Sequence, residues 1–397
     1  MNSFRRQSLP LLLVLALAGC QGSGKVKVGA VLPLSGDAAV YGQAIRRGIE
    51  LAQERTARTA EAPFEIEVLW RDTKSDPELA KRLLEATYDE GAIVAIGGAT
   101  SAEALAMVPV ADRAGRVLLS PSASQPQLSG VSSNFYRVFP SDASEGTMMA
   151  NFARQTLELS KVVVLAKEEP YAKGAQDVFR ERFIELGGQV VEVLLFPPHT
   201  ADLSGLVERV KTLNPDGVYI AAYASEIVGL VKSLRQHDYR GVLLTTSSFS
   251  SADALQEAGR AAEGVYFTQT AFAPSDKNPE VEAFVKAYTE KYRFEPDLYA
   301  AHGYDAYRVL LAAMRESGKS AMNFWKGMRG VRDFPGVTGT FQFDEKGDVK
   351  KFPRVFTIRE GHIYDLEKEE EARREEIRKK MRQLEEELLL LRSGGGS

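Results

Sequence analysis

The chain has 397 residues, 44% of them hydrophobic and 26% charged, with a formal charge of -4 and a single cysteine, Cys20. That composition suits a globular protein of about two domains with substantial cores, and it leaves no basic excess to hold nucleic acid. One cysteine permits no intramolecular disulfide, so stability must come from packing.

In chain order, Arg5 and Arg6 come first, then an apolar stretch from Leu11 to Ala18, then the run Leu17, Ala18, Gly19, Cys20. The stretch is shorter than the roughly 18 to 20 apolar residues of a membrane span, so residues 1–19 read as a signal peptide. The run that ends in Cys20 resembles the lipobox of bacterial lipoproteins. The resemblance implies cleavage before Cys20 and a lipid anchor on its thiol, which tethers the protein to a membrane facing the periplasm or the cell exterior. At about 0.8 kcal/mol per buried methylene, two or more acyl chains would anchor stably. A plain secretory signal with an incidental cysteine is the other reading. Residues 20–24 form a short Gly/Ser linker.

From there strand and helix signals alternate. Apolar runs of strand length lie at Val26 to Leu32, Phe64 to Trp70, Ile93 to Ile96, Val117 to Leu119, Val162 to Leu165, Val190 to Leu195, Gly217 to Ala221, Val242 to Leu244 and Gly264 to Phe267. Helical periodicity fills the gaps, as at Tyr41 to Glu54, Pro77 to Glu90, Ala104 to Arg113, Tyr171 to Leu186 and Leu203 to Leu213. Strands that are apolar throughout and separated by helices imply parallel sheets covered on both faces, and their number suits two doubly wound α/β lobes. A break falls at Tyr136 to Asp142, where Ser141 or Asp142 caps a fresh helix. Beyond Thr268 come long helices, Pro279 to Tyr292 and Asp297 to Glu316, and a hairpin around Asp344 to Asp348, so the chain crosses between lobes more than once.

Residues 367–392 differ. Ile377, Met381, Leu384, Leu388 and Leu391 recur at steps of four and three, with Glu/Arg and Glu/Lys pairs four apart, which predicts an amphipathic helix. A solvated or lobe-packed helix, self-association and another partner are all open to it. Residues 393–397 read as a flexible tail.

The usual catalytic motifs fail. Gly318, Lys319 and Ser320 imitate the end of a phosphate-binding loop, but Ala313 stands where such a loop needs glycine. No G-x-S-x-G elbow occurs, and His199, His237, His302 and His362 lack metal-ligand spacing. Asp344 to Asp348 offers too few oxygen ligands for calcium and reads as a turn with Gly347 at positive φ. The expectation is a protein that is not an enzyme and takes no cofactor.

Lys25 to Ile49 (KVKVGAVLPLSGDAAVYGQAIRRGI) and Ile96 to Ser124 (IGGATSAEALAMVPVADRAGRVLLSPSAS) resemble the leucine/isoleucine/valine family of bacterial periplasmic binding proteins, which serve ATP-binding-cassette (ABC) importers. Later segments agree in order: KEEPYAKG, VYIAAYASE, AAEGVYFTQ, PDLYAAHGYDA and GTFQFDEKGDVKK. The resemblance, over about residues 25 to 362, implies a type I binding fold. Its N-terminal lobe would be 25–140 with 271–347, and its C-terminal lobe 141–270 with 348–366. It further implies hinge closure on a small organic ligand, a branched-chain amino acid or a related carboxylate or amide, and delivery to an inner-membrane permease. A regulatory or sensor lipoprotein that binds a protein partner on the same fold is the alternative.

Ligands of open α/β sheets bind beyond the carboxyl ends of strands, where Ser101, Ser122 and Ser124 sit. Ser101 opens a helix and offers a hydroxyl and an amide to a carboxylate. In the family these positions hold the ligand's carboxylate and part of its ammonium; capping and turn duty is the other reading. The resemblance assigns Tyr41, Tyr171, Tyr223 and Tyr299 to the cleft walls. Two departures stand out: Ser75 and Thr100 replace a disulfide, and Ser247 stands where the family carries the acid that pairs with the ligand's ammonium. A buried ammonium needs a partner. Either Glu168, Glu169 or Glu226 supplies it from nearby loops, or the ligand has no ammonium.

Overall fold

The computed structural model describes residues 25–59 and 61–394, with side chains to residue 386. The expected signal peptide, Cys20, the 20–24 linker and residues 395–397 lie outside the described residues. Two sheets organise the rest. The first contains β1 (Val26–Leu32), β2 (Ile66–Asp72), β3 (Val94–Gly97), β4 (Val117–Ser120) and β5 (Phe135–Arg137), all parallel, in the order β2-β1-β3-β4-β5. The second begins with β6 (Lys161–Lys167), β7 (Gln189–Phe196), β8 (Gly217–Ala221), β9 (Val242–Thr245) and β10 (Val265–Gln269), also parallel. The central strands β3, β4 and β8 are buried along their whole length, as helices on both faces require.

The predicted α/β architecture is present, with two differences. β5 runs into the start of the break at Tyr136 to Asp142, and at three residues it is too short to show a period. The second sheet is also mixed. After a small antiparallel pair, β11 (Phe334–Gly336) with β12 (Gly339–Phe341), the chain returns as β13 (Arg354–Arg359) and β14 (His362–Asp365), both antiparallel, to give the order β14-β13-β10-β9-β8-β6-β7.

Three connections join the sheets. β5 leads into the helix Asp142–Asn151, capped by Ser141, on the second sheet's side. β10 leads to the helices Pro279–Tyr292 and Leu298–Ser317 on the first, and the stretch after β12 leads to β13. Arg137, fully buried, ties the first connection to the third through Asp348 at 2.6 Å.

One helix contact sets the floor of the cleft. The helices Ala39–Arg58 and Leu298–Ser317 cross where a Cβ on Gly48 would lie 2.0 Å from the Ala300 carbonyl oxygen, and one on Gly303 would lie 2.3 Å from that of Ile45. Only glycine admits that approach. The crossing carries Tyr41 and Tyr299 on the same pair of helices, with ring centroids 4.5 Å apart.

The chain ends in a helix, Leu366–Gly394. Its first turns are strapped to the second sheet and its surroundings by Arg354–Glu367 at 2.9 Å, Lys368–Asp276 at 2.7 Å and Arg359–Glu369 at 2.6 Å. Farther along, Ile377, Met381 and Leu384 are exposed and the ion pairs are internal to the helix. Among the described residues no helix is long and apolar enough to cross a membrane.

Candidate ligand-binding site

The wall from the first sheet is built on strand ends. β3 runs out at Gly97, and Thr100 caps the helix Ser101–Ala114 with a capping box: its side chain accepts from the Glu103 N–H, and the Glu103 carboxylate accepts from the Thr100 N–H. Buried Glu103 is held in turn by the Thr73 hydroxyl. The N–H groups of Ser101 and Ala102, in the first turn, have no partner within the helix, so this end favours an anion. Ser101 Oγ accepts from Gln125 N at 3.2 Å, and Ser122 Oγ donates to the Ala99 carbonyl at 2.6 Å.

The opposite wall comes from the second sheet. Tyr171 opens the helix Pro170–Glu185 after β6, Tyr223 precedes Ala224–Gln236 after β8, and Ser247 and Ser248 form a tight turn after β9. Tyr171 and Tyr223 stack at 5.4 Å and 7°. Bonds then cross the cleft: the Ala224 N–H donates to Tyr41 Oη at 2.7 Å, Tyr41 donates to the Ser248 carbonyl at 3.4 Å, and Tyr299 donates to the Ser247 carbonyl at 3.3 Å.

Between the walls lies a cavity of about 20 Å³, room for roughly one water. Its lining unites Ser101, Ser122, Ser124, Tyr41, Tyr171, Tyr223, Ser247 and Tyr299. Phe139, Thr100 and Ser248 join them, residues that sequence reasoning did not single out as site residues. Thr100 is the cap beside Ser101 and was within reach of that logic. Phe139 follows the three-residue β5 and carried no signal.

The candidate charge partners separate. Glu168 is exposed and lies away from the cavity lining. Glu226 is committed to the buried Lys167 ammonium at 2.6 Å, which also sits 5.1 Å over the Tyr223 ring. Glu169 caps its helix through the Ala172 N–H, and burial pushes its carboxyl up to about 7.

The acid nearest Ser247 is one that sequence reasoning passed over. Ser247 Oγ donates to Glu145 Oε2 at 3.0 Å, and Thr268 Oγ1 donates to the same oxygen at 3.3 Å. One turn earlier on the same helix, Asp142 Oδ2 accepts from Ser124 Oγ at 3.0 Å. Glu145 and Asp142 are 2% and 1% exposed, so neither can turn to bulk water. Each keeps one oxygen buried without a partner, Glu145 Oε1 and Asp142 Oδ1. Burial and the neighbouring Asp142 drive the Glu145 carboxyl well above the ordinary range; burial pushes Asp142 up to about 7 despite the Ser124 hydroxyl and the Arg137 charge. The cavity is therefore polarised, with a helix N-terminus and hydroxyls at one end and serines backed by carboxylates at the other.

Comparison with known proteins agrees with this architecture. A curated leucine/isoleucine/valine-binding protein homologue of Brucella melitensis is 24% identical over 86% of this chain and 94% of its own length. A leucine-binding protein of Thermotoga maritima superposes with a TM-score of 0.81 at 30% identity, covering 86% of this chain and 97% of that one. A branched-chain amino acid transporter substrate-binding protein of Streptococcus pneumoniae, solved with isoleucine, gives 0.81 at 26% identity over 86% and 98%. The periplasmic binding protein family model matches residues 25–359, and with two sheets meeting at a shared cavity the chain belongs to that family, in the branch of its leucine/isoleucine/valine-binding relatives.

Proposed function

We propose that this protein is the solute-binding component of an ABC importer, which closes its lobes on a branched-chain amino acid or a related carboxylate or amide and presents it to an inner-membrane permease. The observation that carries this reading is the meeting of strand-end hydroxyls and tyrosines from both sheets in one cavity. The ligand's carboxylate would lie against Ser101, Ser122 and the free amides of the helix N-terminus, and its apolar part against the tyrosine faces. The roles of importer component and binder of branched-chain ligands are supported by what the relatives bind and serve. A thermal-shift screen of amino acids, organic acids and amides tests it, because a ligand at 100 times its dissociation constant adds about 2.7 kcal/mol of stability. No response from any member of the three classes would refute the reading.

Membrane tethering through Cys20 belongs to the same proposal. Cys20→Ser should release folded protein into the soluble fraction or leave an uncleaved precursor. A correctly processed Cys20→Ser protein that stays on the membrane would defeat it. A second reading, a sensor that engages a protein or a second copy of itself, draws on the exposed Ile377, Met381 and Leu384 of the C-terminal helix. Loss of self-association on deleting residues 367–397, measured by analytical ultracentrifugation, would support it; a monomer with or without the segment would remove the self-association part.

A further inference from the structure

We infer that Glu145 is the carboxylate that selects a ligand carrying an ammonium group, in place of the acid missing at position 247. The inference rests on the solute-binding reading above and narrows it to an α-amino acid or a close zwitterionic analogue.

Ser247 lines the cavity and hands its hydroxyl directly to Glu145, so the carboxylate stands one residue behind the wall at the point where an acid was expected. The oxygen that faces Ser247 and Thr268 is satisfied by two donors. The other oxygen, Oε1, is buried with none. A protonated carboxyl would place an O–H or a bare oxygen there with nothing to meet it, at a cost that native structures rarely carry. An ammonium supplies three donors and a charge in a compact group. Asp142, behind Ser124, adds negative potential to the same end, which assigns Ser124 to the ammonium and leaves Ser101 and Ser122 to the carboxylate. The other charges nearby are engaged elsewhere: Lys167 is paired with Glu226, Arg137 with Asp348, and Glu169 caps its own helix through the Ala172 N–H.

Calorimetry with L-amino acids and their deaminated counterparts, L-leucine with 4-methylpentanoate first, decides the matter. Wild-type protein should prefer the amino acid by 100-fold or more. Glu145→Gln, which keeps shape and removes charge, should lose most of that preference by weakening the amino acid at least 100-fold while leaving the deaminated acid unchanged or tighter. Moving the carboxylate back to the loop, in the double variant Glu145→Gln with Ser247→Glu, should restore the preference to within tenfold. Glu145→Asp, which retains the charge, should keep the preference at reduced affinity; if Glu145→Gln does not fold, the wild-type preference between leucine and 4-methylpentanoate still decides. Wild-type protein that prefers the deaminated acid, or a folded Glu145→Gln protein that binds leucine as wild type does, overturns the inference while the binding function stands. Wild-type protein that binds no amino acid, organic acid or amide overturns both.

Discussion

On the first-sheet side of the cleft, Ser101 and Ser122 sit at strand ends beside unpaired helix amides, whereas on the second-sheet side Ser247 fronts a buried carboxylate from a helix 102 positions earlier. The first wall attracts an anion with backbone dipoles and neutral hydroxyls, which cost little to bury because each hydroxyl already has a partner. The second buries carboxyls, and burial has raised the pKa values of Glu145, Asp142 and Glu169, so that a proton or a cation must offset each charge. A site made of dipoles is ready at little energetic expense. A site made of carboxylates is strained until a cation arrives.

The contrast breaks most severely if the helix crossing beneath the first wall is disrupted. Gly48→Val would drive a side chain into the Ala300 carbonyl at the crossing that carries Tyr41 and Tyr299, and should destabilise the fold by about 3 kcal/mol or more, read as a lower urea midpoint. On the dipolar wall, Ser101→Ala should weaken ligand binding by about 1.5 to 3 kcal/mol, the scale of a hydrogen bond to a charged group, and should also lower stability by about 1 to 3 kcal/mol because the buried Gln125 N–H loses its acceptor. If calorimetry finds full affinity, that wall does not hold the carboxylate.

On the charged wall the pH dependence has a definite sign. The Asp142 carboxyl is pushed from an ordinary 3.8 up to about 7, so near pH 5 to 6 the folded protein holds a proton that the unfolded chain has released. Its contribution is present below about pH 4 and is lost as the pH rises through about 7. Against Asp142→Asn, wild-type protein should therefore lose roughly 4 kcal/mol of stability between pH 4 and pH 8, the distance from 3.8 to about 7 at about 1.4 kcal/mol per pH unit. A constant difference across that range would show that Asp142 stays ionised. The smallest effect concerns the contact between the walls. Tyr41→Phe removes the phenol that bridges Ala224 and Ser248, and should shift the ligand-free balance toward separated lobes by about 1 kcal/mol, visible as a larger radius of gyration in solution scattering.

Much of this was legible in the sequence, and unevenly so. Each predicted apolar run coincides with a strand to within about two residues, because buried parallel strands are apolar without interruption. β5 was missed for its length, and β13 and β14 because Arg354, Thr357 and Arg359 in one and His362 and Asp365 in the other mix polar residues into short runs. Ser101, Ser122 and Ser124 could be found because a strand end is a local feature. The four tyrosines came from ordered resemblance, since nothing local distinguishes Tyr171 from a core residue. Glu145 escaped both routes. An acid in the first turn of a helix looks like an ordinary complement to the helix dipole, and only the folded chain brings it under Ser247.

The cavity of about 20 Å³ has a thermodynamic consequence for affinity. With Tyr41 bonded to Ala224 and Ser248, and Tyr299 to the Ser247 carbonyl, the walls satisfy one another across the cleft. Closure on these contacts alone would compete with the ligand for the same groups. The apparent dissociation constant equals the intrinsic one divided by the fraction of molecules whose lobes stand apart. Residues that never touch the ligand can then tune the concentration at which the protein responds, by changing only how firmly the cleft closes on itself.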